Sequence, residues 1–395
     1  MNDDLTNSIY LSALTATEGI GAKTALRIAG DYPNWASLTS APGDELQNRF
    51  GEQLARSLLA KVLKNSAEKW RSAETAVLKH TEQGIQPVSM LDNSYPKLLR
   101  LIPDPPAILY VRGNTKVLDS LKSVAVVGTR DATSLGCAVA ARVAGWFARS
   151  GFVVVSGLAK GIDAAAHKGC VDTRGITVAV LTDIQNIYPS ENRPLAMDIL
   201  NSGGALVSEM PLGQRTHRSA FVQRDRIQSG MSVAVVPVQT DTEGGTMHTV
   251  RFAEAQNRLV FCPRPLDKES HLSQYAGIHM LLRSKRALEF EAKDYETVLK
   301  RLAEHSELLT GIPSTVAEMP KLTPEDDWTL TPPEPLVSEK KSKAHPEIAV
   351  TALEILERSF RDLGLADDKG LFNAAITTLR ARLFSRRKRA SHGDT

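Results

Sequence analysis

Four short segments carry residue types able to hold a negatively charged group. Val127-Gly128-Thr129-Arg130 closes one apolar run, and Ser134-Leu135-Gly136 opens the helical segment behind it. Small residues in such a loop leave backbone N–H groups free to meet an anion at a helix start. Ser156-Gly157-Leu158-Ala159-Lys160-Gly161-Ile162-Asp163 follows the next apolar run, which places Arg130 and Lys160 at the ends of adjacent strands, over one anion-binding groove. Phe221-Val222-Gln223-Arg224-Asp225-Arg226-Ile227 holds two arginines two positions apart; they face the same side only if that segment is extended. Gly244-Gly245-Thr246 opens another helical segment and makes a second anion site. Each arginine taken singly reads as a solvated surface charge, whereas four such elements at the strand ends of one sheet read as a site. The candidate phosphate-binding set is therefore Gly128, Thr129, Arg130, Ser156, Gly157, Lys160, Gly161, Arg224, Arg226, Gly244, Gly245 and Thr246.

Other chemistries fit less well. The first loop is not G-x-G-x-x-G, and no acidic residue ends the second strand to bind a ribose, so NAD is disfavoured and no cofactor is expected. Cys137, Cys170 and Cys262 lie far apart, with no C-x-x-C pair and no regular histidine spacing, which reads as free thiols rather than a disulfide framework or a zinc site. Glu243-Gly244-Gly245-Thr246 reaches only part of the P-G-G-x-G-T-x-x-E loop of nucleotide phosphoribohydrolases. Asp163, His167 and Glu209 could form an acid and base set, yet His167 follows Asp163 by four residues on one helix face and reads as capping or packing.

These loops need a sheet to present them. From Ser123 to about Pro265 apolar runs alternate with helical segments: Val124–Val127, Val153–Val155, Thr177–Leu181, Ala205–Val207, Val233–Val236 and Leu259–Phe261 as strands, with helices over Ala138–Arg149, Ile162–Lys168, Pro194–Asn201 and Thr246–Gln256. That order predicts an α/β fold, a Rossmann-like, doubly wound, mostly parallel sheet with its ligands at the carboxyl ends of the strands. Residues 1–85 read as an N-terminal helical domain, with Leu11, Leu14, Ala25, Leu26 and Ile28 around a Gly19-Ile20-Gly21 turn like that of helix-hairpin-helix modules. The turn is either a second phosphate contact or a glycine-capped corner. Residues 86–305 form the sheet domain with its lead-in, including one small strand over Ala107–Val111 and a helical stretch over Lys285–Leu302. A proline-rich charged linker is expected over 306–345, and a helical segment over 346–395 that ends in Ser385-Arg386-Arg387-Lys388-Arg389.

The 395 residues are 42% hydrophobic and 24% charged, which excludes wholesale disorder or a coiled-coil rod. The apolar runs are strand-sized, well short of the roughly 18 residues that span a bilayer. With Met1-Asn2-Asp3-Asp4 offering neither a basic start nor an apolar run, a cytosolic protein with no membrane contact is expected. A net charge of +3 is too mild to establish nucleic-acid binding by itself.

Over residues 90–300 the order and spacing of motifs resemble the DNA-processing protein A (DprA, or Smf) family. The matching pieces are Tyr95-Pro96, Pro105-Pro106 with Tyr110 to Asn114, Val127 to Arg130, Ser156 to Asp163 with His167, Gly203 to Pro211, Arg224 to Ile227 and Gly244 to Thr249. The resemblance implies a Rossmann-like core behind an N-terminal helical domain, a homodimer, single-stranded DNA as ligand, delivery of that DNA to the recombinase RecA during transformation, and no catalysis. A nucleotide hydrolase and a nucleotide-sensing defence module are the alternatives that the same phosphate cradle would serve. The chain departs from the family at several points. Gly128-Thr129-Arg130 stands where Gly-Ser-Arg is usual, Arg224-Asp225-Arg226 where Arg-Asn-Arg is usual, Gly244-Gly245-Thr246 where Ser-Gly-Ser is usual, and Gly277-Ile278-His279 where Gly-x-Asn is usual; the tail lacks a winged-helix pattern. Asp225, in an extended segment that points it away from both arginines, is expected to repel phosphate rather than pair.

Overall fold

The computed structural model describes residues 3–214 and 217–313, together with Thr323, Asp326 and Trp328. Six helices come first: α1 (Asp3–Thr15), α2 (Ala22–Asp31), α3 (Trp35–Thr39), α4 (Gly43–Phe50), α5 (Glu52–Ser57) and α6 (Ser66–Glu82). The lead-in supplies β1 (Gln86–Ser89), α7 (Lys97–Arg100) and β2 (Ile108–Gly113). Alternation then sets in with β3 (Ser123–Val127), α8 (Ser134–Arg149), β4 (Val153–Ser156), α9 (Ile162–Asp172), β5 (Thr177–Val180), α10 (Arg193–Asn201) and β6 (Ala205–Ser208). It continues through α11 (Arg218–Gly230), β7 (Ala234–Pro237), α12 (Thr246–Ala255), β8 (Leu259–Pro263), α13 (Ala276–Arg283), β9 (Leu288–Phe290) and α14 (Tyr295–Thr310).

One nine-stranded sheet runs in the order β1-β2-β6-β5-β4-β3-β7-β8-β9. β1 pairs antiparallel with β2, and β2 with β6; every other pairing is parallel. The central strands are buried on both faces, which is why they appear in the sequence as continuous Val-rich runs rather than as alternation. From β3 the chain steps outward through β4, β5 and β6, then returns to lay β7 on the other side of β3. β3 is therefore the topological switch point, where loops above the carboxyl ends diverge and leave a crevice.

Each sheet face carries its own core. One holds Trp146 stacked on Tyr295, ring centroids 3.6 Å apart, with Phe290 and Trp328 against them. The other holds Tyr95, Ile227, Met247 and Ile278. A third apolar cluster joins Tyr10, Leu14, Ile28 and Leu38 of the N-terminal helices to Ile108, Tyr110, Ala179 and Leu206 of the sheet. Cys170 and Cys262 are buried free thiols and Cys137 is half-buried.

Two local expectations are revised. The lead-in holds two strands rather than one, because Gln86–Ser89 pairs antiparallel with β2. Within the stretch expected to be helical from Lys285, β9 pairs parallel with β8, Phe261 opposite Leu288. Pairing satisfies the backbone of an edge that β8 would otherwise expose, and it seats Phe290 in the core against Trp328. α14 continues through Thr310 and is capped by Gly311 at φ 67°. Beyond residue 313 the expected linker, and all of the expected basic tail, lie outside the described residues apart from the three named above. Among the described residues no helix is long and apolar enough to cross a membrane.

Candidate functional site

Four loops meet above the carboxyl ends of β3, β4, β5 and β7, and α11 runs alongside them. The loop after β3 is locked to the loop after β7: Thr129 N–H donates to the Gln239 carbonyl at 2.8 Å, and Gln239 Oε1 accepts from Thr133 N–H at 3.0 Å. Thr133 caps α8 by accepting from Gly136 N–H at 2.9 Å. The loop after β4 passes beneath them through Gly161, at φ 77°, where an added Cβ would lie 2.4 Å from the Thr129 carbonyl oxygen. Only glycine fits that crossing, which is why a glycine precedes α9 and Lys160 is left exposed at the rim.

Arg224-Asp225-Arg226 departs from expectation. The segment is helical, not extended, and residues two apart on a helix point roughly 200° apart. Arg224 lies buried under the groove, its Nη1 donating to the Val180 carbonyl at 3.0 Å. Arg226 faces away and closes a bidentate pair on Glu209, at 2.9 and 2.6 Å, while its Nε reaches the Asp104 carbonyl at 3.0 Å. It fastens α11 to the end of β6 and to the lead-in, and it does not line the groove. Asp225 stays in the groove wall with Oδ1 3.3 Å from Arg224 Nε, so it is paired with one arginine rather than pointed away from both. Burial pushes the Asp225 carboxyl up to about 7. Arg224 pulls it down, the nearby Asp163 pushes it up, and Arg130 pulls it down again.

Beneath the wall, burial raises Asp163, opposed by the Arg224 charge, by the backbone N–H groups of Ala159 and Gly128 and by the neighbouring Ser156 hydroxyl. Ser156 is fully buried and donates to the Val126 carbonyl at 2.6 Å, so its role is structural. His167 is also fully buried, with Nδ1 2.7 Å from the Thr177 hydroxyl, and burial together with Arg224 pushes it down to about 3. His167 thus packs, and Glu209 is held by Arg226; the three groups weighed as an acid and base set do not converge on one open space.

The groove divides into three connected hollows that share Arg130 and Phe221 in their walls. One, of about 400 Å³, lies over the switch point between Gly128-Thr129-Arg130 and Gly244-Gly245-Thr246 at the start of α12. A small enclosed one, about 60 Å³, brings Arg130, Lys160 and Arg224 together over Gly157. The third, about 890 Å³ and open, spreads over the loop after β5 toward Tyr188 and Arg193. Arg130 stands with its guanidinium carbon 5.5 Å from the centre of the Phe221 ring. Lys160 pairs with Glu191 at 2.8 Å, both exposed, a pairing worth little and easily given up to a phosphate. Sequence reasoning missed Phe221 and Tyr188 as groove residues; Phe221 precedes Arg224 by three, the spacing that shares a helix face, but only once the segment is known to be helical. Among the described residues no group of His, Cys, Asp and Glu is placed to hold a metal ion.

A doubly wound α/β sheet with an arginine- and lysine-lined crevice across its switch point defines a protein of the Rossmann-like class. Residues 86–302 match the family described as DNA recombination-mediator protein A, and the chain belongs to that family. It is 32% identical over 260 residues to Protein Smf of Synechocystis, a match taking in 64% of this chain and 63% of that protein, so it spans less than two thirds of that relative. It is 34% identical over 253 residues to DNA processing protein DprA of Bacillus subtilis, covering 63% of this chain and 83% of the relative. The X-ray structure of DNA processing protein A from Streptococcus pneumoniae shares the fold with a TM-score of 0.58 at 25% identity, covering 72% of this chain and 94% of that one.

Proposed function

We propose that this chain is a non-catalytic recombination mediator that binds single-stranded DNA along the groove, acts in the cytosol as a homodimer and passes the strand to a RecA recombinase. One observation carries the DNA reading: Arg130 is common to three connected hollows, with Lys160 and buried Arg224 on one side and the glycine-opened start of α12 on the other. Such a row suits successive phosphates of a flexible strand, contacts that carry no base information and release counterions. Family membership supports the mediator role. The distribution of Asp163, His167 and Glu209 among buried and paired positions supports binding over hydrolysis.

The test is fluorescence anisotropy with labelled single-stranded DNA, duplex DNA and a mononucleotide at two salt concentrations. Single strands are expected to bind most tightly, with affinity falling steeply as salt rises. Salt-independent binding, or binding of the mononucleotide alone, would overturn the reading. Sedimentation with and without DNA, and co-sedimentation with RecA, check the dimer and the partner.

A further inference from the structure

Tyr188 is a large aromatic residue with 65% of its surface exposed, whereas the other large aromatics among the described residues are buried or half-buried. Its position is held. Asp183, at the start of the same loop, accepts from Gln185 N–H at 2.8 Å, Asn186 N–H at 2.9 Å and Asn186 Nδ2 at 2.9 Å. Ile184 is buried beneath it, and on the far side of Tyr188 the Asn192 side chain donates to the Leu158 carbonyl at 2.8 Å. The loop is therefore pinned at both ends around an aromatic ring that has no core to enter.

The ring stands edge-on to Phe221, centroids 6.5 Å apart at 68°. Phe221 in turn carries the Arg130 guanidinium at 5.5 Å. Tyr188 lines both the enclosed hollow that gathers Arg130, Lys160 and Arg224 and the open 890 Å³ hollow next to it. A phosphate held by Arg130 thus has an aromatic face within one nucleotide's reach, and the open hollow leaves room for a flat ring. Arg193, His217 and Asn186 at its border present polar groups to a base edge.

We propose that Tyr188 is a stacking residue for an unpaired nucleobase, seated beside Phe221, and that it lets the groove prefer single strands over other polyanions. This rests on the DNA reading above. A base inside a duplex is stacked on its neighbours and has no face to offer, whereas every unpaired base has one, so the contact selects strandedness without selecting sequence. The phosphate contacts alone do not make that distinction.

The experiment compares two strands of equal length, oligo-dT and an abasic strand with the same phosphates, on wild type, Tyr188→Ala and Tyr188→Trp. Tyr188→Ala is expected to weaken oligo-dT binding about tenfold, to leave the abasic strand unchanged, and to leave thermal stability unchanged because the ring is exposed. Tyr188→Trp is expected to restore oligo-dT binding, and 2-aminopurine fluorescence to be quenched by wild type but not by Tyr188→Ala. Equal loss on both strands, no loss on either, or a changed oligomeric state with equal loss would overturn the stacking role; the last would make the residue a protein contact. Failure of wild type to bind either strand would instead sink the DNA reading itself.

Discussion

Arg224 Nε lies 3.3 Å from Oδ1 of its sequence neighbour Asp225, with only 8% and 14% of the two side chains exposed, at the junction of two hollows of the groove. Being helical, the segment turns Arg226 away and leaves this pair as the charged face of α11 toward the ligand. Arg224 is anchored a second time by the Val180 carbonyl, so it keeps its place when Asp225 is neutralised.

Binding of DNA should therefore strengthen as pH falls from 8 to 6. Burial pushes Asp225 up to about 7, so the carboxyl takes up its proton in that interval and one negative charge leaves the phosphate path. One charge at this range is worth about 1 kcal/mol, or about fivefold in affinity. Asp225→Asn should bind more tightly than wild type at pH 8 and about equally at pH 6, and so should lose the Asp225 part of the pH dependence. His217 and His248, which border the hollows, are common to both proteins and cancel in the comparison. Anisotropy titrations at both pH values decide it; a variant that binds more weakly at pH 8 would show that Asp225 serves chiefly to orient Arg224.

The same group ties stability to pH. Because its folded value lies above the usual 3.8, Asp225 contributes favourably below about 4, and that contribution is lost as pH rises through about 7. Thermal melts from pH 5 to 8 should show wild type losing stability relative to Asp225→Asn. A constant difference between the two proteins across this range would place the burial cost elsewhere.

Arg130 and Arg226 should separate cleanly. Arg130→Ala removes an exposed charge and should weaken DNA binding at least tenfold with little change in Tm. Arg226→Ala leaves Glu209 without its bidentate partner and should cost about 2–3 kcal/mol of stability. DNA affinity of the folded Arg226 variant should fall much less than that of Arg130→Ala. Melts and anisotropy on both variants test the assignment, and the reverse pattern would refute it.

Gly157→Ala probes the packing under Arg224. An added Cβ would lie 1.5 Å from Arg224 Nη1, so the guanidinium must leave its site. DNA binding should fall to the level of Arg224→Ala in a protein that still folds. Wild-type affinity in Gly157→Ala would show that Arg224 does not meet the ligand from this position.

Trp328 returns to the core from beyond α14: it is fully buried, packs against Phe290 and Tyr295, and donates from Nε1 to the Arg264 carbonyl at 3.1 Å. Asp326, two residues before it, pairs with Arg149. Trp328→Ala should cost about 3–5 kcal/mol and leave DNA affinity unchanged, since the groove lies at the strand ends. Denaturant melts measure the first, anisotropy the second.

Much of the architecture was legible in the amino-acid order. Runs such as Val124–Val127 and Val153–Val155, each followed by glycine and a helical segment, determine a parallel sheet with anion-ready loops above it, because strands buried on both faces must be apolar throughout. Gly128, Gly157, Lys160 and Gly244 follow from the same pattern, and they are among the residues that carry the family resemblance. Where side chains point was decided by tertiary structure. Arg218–Gly230 is polar along its length and carries no strong period, so nothing local distinguishes a helix from an extended strand, and that one difference sends Arg224 and Arg226 in opposite directions. The short strand Leu288–Phe290 exists because β8 offers it an edge, and Tyr188 meets Phe221 across 33 positions of sequence because the loop after β5 converges with helix α11. Such contacts depend on distances through space that spacing along the chain does not encode.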